Sequence, residues 1–121
     1  MIQVKNATVL AALLKWWYHN KLVNLALWVL RRHLKLFLTE GFRPATHDDD
    51  LHATKPVRAL DLRSRIYHNP RAVKRDIDDN WIYDPKRPEM SCCVYHRVRL
   101  AWHFHLQVHP NTVYEPGWRD L

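Results

Sequence analysis

Two histidines one residue apart, His103 and His105, lie in Ala101-Trp102-His103-Phe104-His105-Leu106-Gln107-Val108-His109. Apolar and polar residues alternate through this stretch, the signature of a strand. Trp102, Phe104, Leu106 and Val108 are expected on one face, and His103, His105, Gln107 and His109 on the other. Imidazoles so placed project the same way, with Cα atoms roughly 6.5–7 Å apart. One ring can then ligate a metal while its neighbour reaches a water beside it. Two imidazoles do not complete a site, and the further donors are His52, in a polar loop, and Asp61, on the outward side of a short strand. Two imidazoles and one carboxylate, with a fourth position left to water, are a normal set for catalytic zinc. Such a zinc acidifies water and polarises a carbonyl, the two requirements of amide hydrolysis. His103 would serve as general base. Each residue also has a plainer reading. The His pair can be two exposed strand residues, and Asp61 can be a surface carboxylate paired with Arg58, Arg63 or Arg65.

The elements that must position these groups follow from local patterns. Val9, Ala12, Leu13, Trp16 and Trp17 recur at helical spacing over Ala7–Tyr18, with Asn6 as cap. His19-Asn20 is expected to break or bend that helix. A second helix over 22–32 places Leu22, Leu25, Ala26, Val29 and Leu30 on one face, and its Trp-rich neighbour is expected in the core. Strands are expected over 34–40, 57–63, 90–98 and 102–109, the last two as a hairpin. Asn69-Pro70 starts a helix that carries Val73, Ile77 and Trp81. The loop 45–56 holds His47, Asp48, Asp49, Asp50 and His52, and its aspartates are expected to be solvated. His19, His33, His68 and His96 are assigned structural or surface roles, and Cys92 and Cys93 are read as one core and one surface residue. The resulting expectation is a single α+β domain over 1–121. A helical N-terminal part (1–33) precedes a core (34–109) and an unassigned tail (110–121). The helices pack on a small, mainly antiparallel four-stranded sheet with the zinc site on its open face.

Length and composition bound the possibilities. The 121 residues suffice for one core, and with 47% hydrophobic residues and six Trp the chain can pack one, which argues against disorder. No apolar run is long enough to span a membrane. No convincing secretory signal is present, so synthesis in the cytoplasm is expected. Adjacent cysteines point to opposite faces of a strand, and no disulfide scaffold is expected. A formal charge of +7 favours an anionic partner.

The residues resemble a known family. A His, then Asp in Arg58-Ala59-Leu60-Asp61-Leu62-Arg63, then the late Trp102-His103-Phe104-His105, is similar to the zinc peptidases that cleave peptidoglycan stem peptides. That group includes D-Ala-D-Ala carboxypeptidases, phage L-alanyl-D-glutamate endolysins and penicillin-insensitive murein endopeptidases. Thr39-Glu40-Gly41-Phe42-Arg43 matches the strand and Gly-aromatic-Arg turn of the family. The resemblance spans about 34–109. It implies zinc on His52, Asp61 and His105, His103 as catalytic partner, and Arg43 holding a substrate carboxylate, a task that suits a guanidinium. His109, on the His105 face, is a further candidate for substrate contact. The family spaces its first His and Asp more closely, with a Gly between them. Here eight residues intervene and none is Gly, which leaves His47 as an alternative ligand. Many members carry an acidic base three residues before the last His. Trp102 stands there, so the base is either His103, as in the murein endopeptidase branch of the family, or a carboxylate elsewhere in the chain.

Peptidoglycan peptides are thus the expected substrate, and a monomer the expected state. Action on the bacterial cell wall follows if the chain is phage-derived. Two other readings stay open. One is a small nucleic-acid-binding protein using Arg58, Arg63, Arg65, Arg71, Lys74 and Arg75. The other is a zinc-bound domain that binds without catalysis.

Overall fold

Alternating apolar residues and well-placed caps build a three-helix, mixed-sheet α+β fold. The computed structural model describes residues 1–120. Strand β1 (Ile2–Val4) leads into helix α1 (Ala7–Lys15) and helix α2 (Asn20–His33), followed by β2 (Leu36–Glu40) and β3 (Ala59–Arg63). Helix α3 (Pro70–Asn80) runs into β4 (Trp81–Ile82). The hairpin β5 (Cys93–Val98) and β6 (Ala101–Gln107) follows, then β7 (Val113–Tyr114).

The main sheet has five strands in the order β1-β2-β3-β6-β5. β1 pairs with β2 in parallel, and the other pairings are antiparallel. The extra strand beyond the expected four is β1, too short to announce itself by periodicity. A parallel return needs a long crossover, and α1 and α2 supply it. β4 and β7 form a separate two-stranded sheet. β7 and a 3-10 turn over Trp118–Asp120 give structure to most of the tail that sequence left unassigned; Leu121 lies outside the described residues.

One face of the main sheet is the core. Leu36, Leu38, Leu60, Leu62, Phe104, Leu106 and Cys93 pack there against Leu22, Leu25 and Val29 of α2 and Val73 and Ile77 of α3. The register fixes the other face. Asp61 stands opposite His105, Arg63 opposite His103, and His103 opposite His96. Because side chains alternate, burying Leu60, Leu62, Phe104 and Leu106 forces Asp61, Arg63, His103 and His105 onto the open face.

Several local expectations are corrected. α1 ends at Lys15 rather than Tyr18, because the chain turns extended at Trp16 and Tyr18 bridges to Val57. The expected break before the second helix is present, but it falls at 16–19, and His19 caps the start of α2, its Nδ1 accepting the Lys21 amide at 3.1 Å. β2 begins at Leu36 because Leu34 adopts a left-handed conformation (φ 67°) that closes α2. Trp16 stacks on Phe42 at 3.8 Å, but Trp17 is 73% exposed, so the Trp stripe is not wholly core. Both cysteines are buried, Cys92 included. Burial raises the Cys92 thiol to about 12, far from the reactive range.

Phe104 is fully buried at the centre of the site-bearing strand. Phe104→Ala is expected to cost about 3–5 kcal/mol of stability, from lost transfer energy plus the cavity left behind. Urea unfolding would show this as a lower midpoint, and an unchanged midpoint would contradict the packing described.

Candidate metal centre

Strand β3 and strand β6 carry two of the three converging donors, and the loop between β2 and β3 carries the third. His52 lies in a short 3-10 turn (Leu51–Ala53) and is almost completely buried, at 1% exposure. Its Nδ1 lies 2.8 Å from the Gly41 carbonyl. A carbonyl only accepts, so Nδ1 carries the proton and Nε2 is left to face Asp61. His52 Nε2 is 3.1 Å and His105 Nδ1 3.0 Å from the same Asp61 Oδ1. One donor atom from each of His52, Asp61 and His105 lies within 4.8 Å of the others, and the group could hold a metal ion. The fit goes beyond distance. A hydrogen bond from the outer nitrogen of a ligating His to a backbone carbonyl fixes ring tautomer and orientation, as at known metal centres.

The electrostatics are those of a buried anion between two imidazoles. Burial opposes ionisation of Asp61, but hydrogen bonds from His105 and His52 outweigh it and hold the carboxylate well below its ordinary range. Burial likewise pulls His52 down, and Asp61 overcomes it, so the imidazole sits above 6.5 when no cation is bound. His103 goes the other way. Desolvation lowers it, and the neighbouring imidazoles add to the effect against the pull of Asp61, so this ring favours its neutral form.

The loop that presents His52 is held by Asp50. Its carboxylate accepts the His52 and Thr46 amides, each at 3.1 Å, and the Thr46 hydroxyl, and it pairs with Arg43. Asp50 is 5% exposed, which corrects the expectation that the loop's aspartates are all solvated. Burial would raise its pKa, but bonds from Thr46, Arg43 and His52 keep it far below 3.8. The Asp-x-His pattern at the start of a short turn, an aspartate capping two residues ahead, was the available signal. Gly41 contributes the carbonyl that orients His52 and leaves room for Tyr18. An added Cβ there would collide with the Tyr18 hydroxyl, which also accepts the Phe42 amide at 3.0 Å.

The group sits in a cavity of about 860 Å³. His103 lines it beside His105, and so does Arg43. Arg43 is committed to Asp50 and lies 3.7 Å from Glu40. His47, the alternative ligand, lines the rim but is exposed, with Nδ1 2.8 Å from the Asp48 carbonyl, and is not part of the cluster. His109 does not line the cavity. β6 ends at Gln107, and the His109 ring turns to Tyr83 (5.7 Å) and Asp84 (3.9 Å). A residue given only a surface or structural role, His96, does reach the site. Its ring lies 4.3 Å from that of His103, and its buried Nε2 has no hydrogen-bond partner among the described residues. The hairpin register could have revealed it, since a two-residue turn at Arg99-Leu100 places His96 opposite His103.

No family model, curated protein or solved structure matches this chain.

Two outcomes follow from this geometry. Purified protein should take up about one divalent metal ion per chain through its three donors, measured with added zinc by competition with a chromogenic chelator. His105→Ala should abolish this uptake while circular dichroism stays unchanged; full uptake by a folded His105→Ala protein would remove the site. Asp50 has a folded pKa below its unfolded one, so its stabilisation is complete above about pH 5 and lost as pH falls. The melting-temperature gap between the wild type and Asp50→Asn, measured metal-free, should therefore narrow as the pH is lowered.

Proposed function

We propose that this domain is a zinc-dependent peptidase that hydrolyses amide bonds in peptidoglycan stem or cross-link peptides. The observation that carries the reading is the clustering of His52 Nε2, Asp61 Oδ1 and His105 Nδ1 in one cavity, with His103 alongside. This donor set suits zinc, which supplies a water acidified towards neutrality and a Lewis acid for the amide carbonyl. The chain's own contribution is positioning. Asp50 and Gly41 aim His52, and the β3–β6 register aims Asp61 and His105. His103 would accept a proton from the attacking water and pass it to the leaving amine as the C–N bond breaks. His96, packed against His103, limits where that ring can turn. The resemblance of residues 34–109 to peptidoglycan peptidases selects the substrate class, and the net charge of +7 favours association with an anionic wall.

A binding domain that holds zinc without catalysis would use the same three ligands. For the nucleic-acid reading, Lys74 of the basic stretch 58–75 is bound to Asp78 at 2.8 Å and to the Cys93 carbonyl at 2.7 Å, which takes it away from a phosphate.

Zinc-loaded protein should release new amino termini from purified peptidoglycan, read by amine labelling and mass spectrometry. His103→Ala should slow this by about 10²–10⁴-fold while zinc content is retained. Sedimentation with peptidoglycan without any cleavage would leave the binding reading and sink the enzyme.

A further inference from the structure

We propose that Arg63, and not Arg43, receives an anionic group of the ligand: a carboxylate one residue beyond the amide that lies over the metal cluster. This deepens the peptidase reading and rests on it. The arginine that the family resemblance points to is already occupied. Arg43 pairs with Asp50, whose carboxylate is 5% exposed and also holds the His52 amide. Turning Arg43 toward a ligand would leave a buried carboxylate without its cation and loosen the loop that carries His52.

Arg63 has none of these commitments. It pairs with no carboxylate among the described residues. It is half-buried and lines the same cavity. It follows Asp61 on the same face of β3, roughly 6.5–7 Å along the strand. It stands directly opposite His103 in the register, with Cα atoms about 4.5–5.5 Å apart. Its guanidinium lies 4.1 Å from the centre of the Phe37 ring. That contact supports the flat face of the fork, and the N–H edges are what a guanidinium uses to bind a carboxylate bidentately.

The surrounding charge agrees. Lys5 and Arg65 line the same cavity and pair with no carboxylate among the described residues. Of the acidic lining residues, Asp61 is held by two imidazoles and Asp50 by Arg43, and Glu40 lies near Arg43. The cations of the cavity lining that pair with no carboxylate among the described residues are therefore Arg63, Arg65 and Lys5, and the ligand's negative charge belongs with them.

The test uses zinc-loaded protein and two synthetic stem-type peptides, one ending in a free carboxylate and one in a carboxamide. The wild type should prefer the acid by roughly 10- to 100-fold in kcat/KM, the range of a charge-assisted hydrogen bond. Arg63→Met should erase that preference, Arg63→Lys should restore part of it, and Arg43→Met combined with Asp50→Asn, which leaves no unpaired buried carboxylate, should keep it. A wild type indifferent to the carboxylate, or an Arg63→Met protein that still prefers the acid, overturns the assignment while leaving the peptidase reading intact. If neither peptide is cleaved, the peptidase reading fails on its own, and calorimetric binding decides the arginine. Tighter binding of the acid, lost in Arg63→Met, upholds it; equal or absent binding of the two peptides overturns it.

Discussion

A carboxylate taken out of water must be compensated by cations or hydrogen bonds, and Asp61 is compensated by two imidazoles that meet on a single oxygen. This constraint organises the open face of the sheet. The anion cannot stand alone at its depth, so His52 and His105 are drawn to it, and each must be supplied from a different part of the chain. His105 is 44 positions from Asp61 and His52 only nine, so long-range strand pairing brings in the first and a well-held loop the second. A divalent cation between the three donors would relieve the same electrostatic demand with more charge.

Support for the cluster is unequal on its two sides. The β3–β6 side is held in register by a buried apolar row, Leu60, Leu62, Phe104 and Leu106, and a slip of β6 by one residue would send His103 and His105 into the core. The His52 side rests on a loop and is held by polar contacts. Asp50, Arg43, Thr46 and the Gly41 carbonyl replace the ladder that a strand would have supplied. The long stretch between His52 and Asp61 is accommodated without displacing the ring, because the turn at 51–53 is anchored to its own flank rather than measured from β3.

The strand faces were legible in the sequence because alternation has a fixed period and the apolar set was unambiguous. Asp61, His103 and His105 could thus be assigned to one face before any coordinates. α2 and α3 were legible for the same reason at helical period, with Asn69-Pro70 marking the start of α3. What stayed hidden was decided by tertiary contact. β1 is three residues long and exists through its pairing with β2. Trp17 fits the apolar period of α1, yet the helix has already ended at Lys15 and the ring turns outward. Arg43 and Asp50 look like independent loop residues until the fold brings them into contact. His109 continues the alternation of β6, but the strand stops at Gln107 and the ring joins another cluster.

The Tyr18 hydroxyl is a small feature with wide reach. It bonds the Ala12 carbonyl at 2.9 Å, receives the Phe42 amide, and fits against Gly41, whose carbonyl orients His52. The helical N-terminal segment is therefore not an appendage to a self-sufficient sheet; through one phenol it forms part of the mounting of His52. Residues of α1 and α2 share one core with the sheet, so a change in the first forty residues reaches the face that carries His52, Asp61 and His105.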